Sequence, residues 1–192
     1  MRLHELLEWL NNLKRIPRTG WLLCNVPLNQ VEDVAQHTFD VAVITFLLAN
    51  ELESKKLNLE RALGMAVVHD WAEASVGDFP YPALKHLESP DIKKRMEKSA
   101  LEELCIGLKN KNCMKLWHEY CEKRTIESKI VHSADYLSML VQALKYRERG
   151  NRSRQLDELW RAVKNDLAPY AAEFKPVREL VAELNKKYTA FH

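Results

Sequence analysis

Apolar residues recur at three- and four-residue spacing through most of this 192-residue chain, and that spacing limits what it can fold into. Only five glycines and seven prolines occur, so few positions interrupt a helix. The pattern predicts an all-α protein. One apolar series ends before Pro17 and comprises Leu3, Leu6, Leu7, Leu10 and Leu13.

Further helices follow from the same spacing, and helix-breaking residues set their expected limits. Pro80, Pro82 and Pro90 indicate a loop-rich stretch with at most a short helix. The longest apolar run, 41–49, is well short of the roughly 20 residues that span a bilayer, and predicts a buried core helix. The expected helices cover Val34 to Leu52, Leu59 to Ala74, Ile92 to Leu108, Thr125 to Arg149, and Gln155 to Tyr188 with breaks at Pro169 and Pro176.

Composition predicts a globular domain and no strong attraction to nucleic acid or anionic lipid. The length suits one domain, and 46% hydrophobic with 29% charged residues is an ordinary balance. The formal net charge is only +2. Four cysteines without Cys-x-x-Cys spacing, and no signal-like first segment, predict reduced thiols in the cytoplasm. A basic run is interpreted as a solvated helix end and comprises Lys145, Arg147, Arg149, Arg152 and Arg154.

A histidine and an aspartate, His69 and Asp70, close an otherwise apolar helix. Imidazole and carboxylate together form a mixed ligand set that suits a divalent transition metal. His37 and Asp135 are further candidates, and Asp135 interrupts an apolar neighbourhood where an unpaired carboxylate would be costly. If the helix continued, Glu73 would share one face with His69, where its carboxylate can position a water and move protons.

Each candidate also has a simpler interpretation. An isolated His-Asp pair is often a core histidine beside a helix-end carboxylate. His37 has polar neighbours on both sides and could face solvent. Asp135 could pair with Lys129 or His132, and His132 could itself support the site or face solvent. Only the combination of the candidates favours a metal site.

The order of these residues and their local sequences resembles the HD superfamily of metal-dependent phosphohydrolases, and in particular its 5'-deoxynucleotidase branch. The resemblance spans about Leu6 to Gly150. It implies one HD domain over residues 1–192, a helical bundle with a metal site between helices, with a motif-bearing core of about 6–150 and C-terminal helices in about 151–192. The supporting segments are Pro17-Arg18-Thr19-Gly20-Trp21, His37, His69-Asp70, Gly77-Asp78-Phe79-Pro80 and the run from Asp135 to Leu144.

The resemblance also implies roles for individual residues. His37, His69, Asp70 and Asp135 would hold one divalent ion, which could be cobalt, manganese, iron, nickel or zinc. Asp70 and Glu73 would be catalytic. The substrate-binding residues would be Arg18 and Trp21, around the phosphate and nucleoside, and Asp78, which would face the sugar. Without the resemblance, Arg18 could form a surface ion pair, Trp21 could be a packed aromatic, and Asp78 could cap a short helix.

The expected function is hydrolysis of deoxyribonucleoside 5'-monophosphates to deoxynucleoside and phosphate by a homodimer. The expected partner is therefore a nucleotide, with neither nucleic acid nor membrane. One alternative is an HD phosphohydrolase acting on a cyclic nucleotide, a dinucleotide or an alarmone; another is a non-enzymatic ligand sensor or scaffold. One departure from the family is Gln36, which stands where members commonly carry an acidic residue.

Overall fold

The computed structural model describes residues 3–52, 57–84, 86–89, 91–109 and 111–191. In these ranges the regular secondary structure is helical, which confirms the all-α prediction. Short 3-10 segments cover Asn11–Arg15 and Leu28–Gln30. The α-helices are α1 (Leu3–Leu10), α2 (Thr19–Leu23), α3 (Val34–Glu51), α4 (Leu59–Val68), α5 (Glu73–Val76), α6 (Tyr81–Leu84), α7 (Asp91–Leu104), α8 (Asn112–Glu122), α9 (Ile126–Glu148), α10 (Arg154–Glu173) and α11 (Lys175–Thr189).

Helices α3 and α9 begin where local sequence signals place them. The Asp33 carboxylate accepts a hydrogen bond from the Gln36 backbone N–H at 2.8 Å, and the Gln36 side chain accepts one from the Asp33 N–H at 2.9 Å. This capping box satisfies two donors that the helix start would otherwise leave unpaired. Thr125 caps α9 by accepting from the Ser128 N–H at 3.2 Å.

Several predicted helix limits are wrong; α7, for instance, ends at Leu104 and not at Leu108. The helix predicted for Leu59 to Ala74 ends at Val68, because the next turns use hydrogen bonds over three residues. One of them joins the Glu73 N–H to the Asp70 carbonyl at 3.0 Å. Pro169 lies inside α10, and the break comes at the extended residue Phe174. The proline removes one backbone hydrogen bond, but α10 continues because it packs against α9 and α11.

Helix α9 is the centre of the bundle. It packs against α3, α4, α8, α10 and α11, and Ile130, Leu137 and Leu140 on it are fully buried. Helices α3 and α4 pack against each other as well as against α9. The three helices therefore fix one another, and residues on their facing sides are held at constant separations.

Helix α3 is only partly the buried helix that its sequence predicts. Val41 and Leu48 face α9 and α4 and are buried. The opposite side carries large apolar side chains that are 39–68% exposed, and we call it the outer face of α3: Phe39, Val43, Phe46 and Leu47. The first leucine series is also split, since Leu6 is buried and Leu3 exposed. None of the described helices has the length and apolar character needed to cross a membrane.

A buried ionic cluster fastens the two C-terminal helices to α9. Arg147 is 1% exposed, so this member of the basic run is not solvated as predicted. Its guanidinium pairs with Asp157 on α10 and donates to the Tyr188 hydroxyl on α11 at 2.8 Å. Tyr188 donates to Asp157 at 2.8 Å and stacks on Trp160 at 3.8 Å between ring centroids. The cluster thus joins three helices through one buried charge.

We expect Asp157→Ala to lower the free energy of unfolding by about 3 kcal/mol, because it leaves the Arg147 guanidinium buried without its countercharge. Urea denaturation at pH 7 measures this loss. Glu158→Ala is the matched control, since Glu158 forms an exposed pair with Arg154 and its removal should cost less than about 0.5 kcal/mol. Equal losses in both variants would contradict the role of the cluster.

Candidate metal centre

Four predicted ligands from three parts of the chain converge on one buried point. His37 comes from α3, Asp135 from α9, and His69 and Asp70 directly follow α4. His37 Nε2 lies 3.2 Å from Asp135 Oδ1 and 3.6 Å from Asp70 Oδ2, and His69 Nε2 lies 3.1 Å from Asp70 Oδ2. Atoms that bind one ion at about 2.1 Å are roughly 3.0–3.4 Å apart, so the spacing fits a common ion.

The hydrogen bonds of the two imidazoles leave the correct nitrogen atoms for a metal. His69 Nδ1 lies 2.8 Å from the Ala66 carbonyl oxygen, which can only accept, so Nδ1 carries the proton. The Ser138 hydroxyl donates to the Asp135 carbonyl at 2.7 Å and therefore accepts from His37 Nδ1 at 3.1 Å. Both Nε2 atoms then present lone pairs, as metal-binding histidines do.

The same nitrogen atoms are buried without any hydrogen-bond partner among the described residues, and so is Asp70 Oδ2. Buried polar atoms are nearly always paired, and unpaired ones are costly. A divalent cation would satisfy His37, His69 and Asp70 at once, and these three are within ligand distance of one another. The donor set therefore fits a metal ion.

The cluster keeps its carboxylates ionised. Burial raises the pKa of Asp70, but His69, His37 and Arg18 outweigh burial and lower it well below its usual value. Asp135 behaves likewise: burial raises its pKa, whereas the adjacent His37 and the nearby His69 and Arg18 lower it. Glu73 differs, because burial and the adjacent Asp70 raise its pKa well above the usual range.

Arg18 faces the cluster and is held there by Asp78. Its Nη1 atom lies 2.8 Å from Asp78 Oδ1, 3.9 Å from Asp70 and 4.0 Å from Glu73. The other Asp78 oxygen accepts hydrogen bonds from the Thr19 backbone N–H at 2.6 Å and from the Thr19 hydroxyl at 2.7 Å. Asp78 thus binds the 18–19 segment at the start of α2. The turn before it uses Gly77 at φ +78°, which a residue with a side chain rarely adopts.

Trp21 lines a cavity beside the cluster, but its side chain is nearly enclosed. It is 2% exposed, its indole N–H donates to Glu32 at 2.7 Å, and its ring packs edge-on against Tyr146 at 5.2 Å between centroids. Glu32 is itself buried. The indole donor is therefore already used, and only the ring surface of Trp21 is available to a ligand.

A cavity opens beside the cluster, and we call it the metal cavity. Its lining includes residues that the sequence did not single out. The cavity has a volume of about 210 Å³ and is lined by all the predicted site residues except His37, which lies behind it. Tyr120 donates to Asp135 Oδ2 at 3.0 Å, and Lys93 pairs with Glu97 at 3.0 Å. A lysine and a glutamate four residues apart are common on exposed helices, so no sequence signal distinguished this pair.

His132 and Gln36 support neighbouring structure and do not face the ion. His132 is buried, stacks on Tyr120 at 4.0 Å and has Nε2 2.9 Å from the Tyr120 carbonyl. Burial lowers its pKa to about 4, so it is neutral at pH 7. Of the two predictions for His132, the supporting position is the correct one. Gln36 closes the capping box of α3, a role that a glutamate could fill equally.

An all-helical bundle with two histidines and two carboxylates around one buried point defines a class of helical metal-binding proteins. The HD domain family model matches residues 10–175. A Xenopus laevis protein named 5'-deoxynucleotidase HDDC2 is 35% identical over 81% of this chain and 75% of its own length. The Bos taurus protein of that name is 32% identical over 94% and 85%, respectively. The chain belongs to the HD-domain family.

A solved structure shows the same fold. A conserved hypothetical protein from Pyrococcus furiosus superposes with a TM-score of 0.80 at 35% identity, over 95% of this chain and 98% of that one. The whole bundle, including the C-terminal helices, is therefore shared with this relative.

Metal ions should stabilise the protein through this cluster. After chelation, Mn²⁺ or Co²⁺ at about 100 times its dissociation constant should add about 2.7 kcal/mol and raise Tm by about 5–10 °C. Differential scanning calorimetry measures the shift. His69→Gln should lose it, whereas His4→Gln, at an exposed position, should keep it. A full shift in His69→Gln would place the ion elsewhere.

Proposed function

We propose that the protein is a metal-dependent 5'-deoxynucleotidase that hydrolyses deoxyribonucleoside 5'-monophosphates to deoxynucleosides and phosphate. One observation carries the proposal: a buried set of metal ligands and the guanidinium of Arg18 face the same cavity. Hydrolysis of a phosphomonoester needs positive charge around the phosphate, which an ion held by these ligands and Arg18 would supply together. The relatives named 5'-deoxynucleotidase support this reaction over others of the family.

His37, His69, Asp70 and Asp135 would hold the ion. When bound, a divalent ion lowers the pKa of water toward neutrality and offsets negative charge on a phosphoryl group. The protein fixes the orientation of the two imidazole rings through the Ala66 carbonyl and the Ser138 hydroxyl, so the rings need not reorient during the reaction.

Arg18 and Glu73 would act on the phosphate and on protons. The guanidinium can donate two parallel hydrogen bonds to nonbridging phosphate oxygens, and Asp78 holds it in place before substrate arrives. Glu73 Oε2 is buried without a hydrogen-bond partner among the described residues. Burial raises the pKa of Glu73, which favours the protonated carboxyl, and that form can pass its proton to the departing 5'-oxygen.

Lys93, Asp78 and Trp21 would complete the substrate site. Lys93 is the second cation that lines the cavity and can neutralise phosphate charge that Arg18 leaves uncompensated. Asp78 lies beside Arg18, so a sugar attached to the phosphate would approach its carboxylate, where an added 2'-hydroxyl would need room. Trp21 offers the nucleoside a ring surface.

The alternatives use the same metal cluster. The relatives are named 5'-deoxynucleotidase, which gives no support to a cyclic nucleotide, a dinucleotide or an alarmone as the substrate. A ligand sensor or scaffold would not need the complete set of ligands with prepared tautomers. Both alternatives are therefore less well supported than a small 5'-monophosphate.

We expect metal-dependent phosphate release from deoxyribonucleoside 5'-monophosphates, and slower release from the ribonucleotides. Asp70→Ala removes a ligand and should lower kcat/KM by more than about 100-fold. Asp91→Ala, at an exposed carboxylate on α7, is the matched control and should retain activity. A phosphate-release assay with each divalent metal restored measures both. Unchanged activity in Asp70→Ala, or hydrolysis of cyclic substrates alone, would refute the proposal.

We infer in addition that the chain forms a single HD domain that assembles as a homodimer in the cytoplasm. One apolar core extends from Trp21 to Tyr188, which supports a single domain. The cysteines are free, which suits a reducing compartment. The outer face of α3 carries large exposed apolar side chains, and a two-fold contact would bury this face on both copies.

Phe46→Glu should convert the dimer to a monomer, because a two-fold contact would bring two added carboxylates together in an apolar interface. Size-exclusion chromatography with light scattering gives the mass directly. Ala168→Glu adds the same charge at an exposed position of α10 and should leave the dimer intact. A dimer that persists in Phe46→Glu would exclude the outer face of α3 as the interface.

A further inference from the structure

A second and larger cavity adjoins the metal cavity and has a different chemical character. Its volume is about 550 Å³, and it lies between α9 and α10 with the end of α2 at its side. We call it the α9–α10 cavity. We infer that it binds the nucleobase of the substrate through apolar and stacking contacts; the inference rests on the proposed function for the identity of that substrate. Its apolar lining includes Leu23, Tyr136, Met139, Leu159, Ala162 and Val163.

The volumes require a second compartment. Pockets for small organic ligands typically measure about 300–1,000 Å³, and the metal cavity alone is about 210 Å³. Its volume thus lies below that range. The rest of the substrate must extend beyond it, and the α9–α10 cavity supplies the missing space.

The two cavities share walls, so one ligand can occupy both. Asp135, a predicted metal ligand, lines both, as do Met139 and Leu159. Asp135 and Met139 are four residues apart on α9 and therefore lie on the same side of that helix. A phosphate at the cluster would place its nucleoside at the Met139 and Leu159 boundary.

The walls suit the faces of a flat ring more than its edges. Tyr136 offers an aromatic surface, Met139 a polarisable thioether, and Leu159 with Ala162 an aliphatic wall. Lys93 and Asp135 lie in the wall shared with the metal cavity. The other charged or amide groups of the lining are exposed: Lys123, Gln155, Glu158 and Asp166. The base would therefore be held chiefly by area and shape.

The decisive comparison is between a nucleotide and 2-deoxyribose 5-phosphate, which has the same phosphoester and sugar but no base. Ala162→Phe fills part of the α9–α10 cavity and should raise KM for deoxyribonucleoside monophosphates by about tenfold or more. The base-free substrate should be hydrolysed as before, which also shows that the variant is folded. Ala168→Phe, on an exposed part of the same helix, should change neither value.

Leu159→Ala provides a variant with the opposite steric effect. It removes apolar contact without adding bulk, and it should also raise KM for the nucleotides more than KM for the base-free substrate. If Ala162→Phe and Leu159→Ala change both substrates equally, or change neither, the α9–α10 cavity does not hold the base and the inference is overturned.

Titration calorimetry with deoxyadenosine separates the inference from the proposed function. This nucleoside lacks the phosphate, so its binding does not depend on hydrolysis. Binding to the parent protein that weakens about tenfold in Ala162→Phe would support the base site even if no phosphomonoester were hydrolysed. Unchanged binding in Ala162→Phe would overturn the base site even if hydrolysis were confirmed.

Discussion

The convergence of two imidazole nitrogens and two carboxylates at one buried point is the constraint on which the rest of the structure depends. Each group would be costly to bury alone, since unpaired polar atoms and charges lose their hydration. Arg18 offsets part of the negative charge, and a divalent ion would offset the remainder. Since the ligands come from α3, the end of α4 and α9, metal binding would also hold these three helices together.

Around the ligands, ordinary hydrogen bonds of the bundle determine their chemical state. The Ala66 carbonyl and the Ser138 hydroxyl select the tautomer of each histidine, and Asp78 aims Arg18 at the cluster. Tyr120 extends this support, because it binds Asp135 on one side and is held by His132 on the other. Apart from Asp78, these supporting residues lie on helices, which keep positions better than loops do.

Local sequence was sufficient for the features that local interactions determine. The start of α3 was predictable because Asp33 and Gln36 form a capping box, and the four residues of the cluster could be singled out because their order and local sequences resemble those of the HD family. The end of α4 is a local change to three-residue hydrogen bonds, and the continuation of α10 through Pro169 depends on packing against α9 and α11, so apolar spacing alone misplaced both. Lys93 and Tyr120 were missed because they reach the cavity only through the placement of α7 and α8.

Helix α9 links the chemistry to the choice of substrate. Asp135 contributes to the cluster, Ser138 orients His37, and Met139 lines the boundary with the α9–α10 cavity, all within five consecutive residues. Because this part of α9 is buried against α3, α4 and α10, it cannot shift one of these side chains without shifting the others. The distance between the metal cluster and the apolar cavity is therefore fixed by one helix. A ligand that occupies both the metal cluster and the α9–α10 cavity must carry its phosphate and its apolar ring at that separation, so the fold determines the length of the substrate.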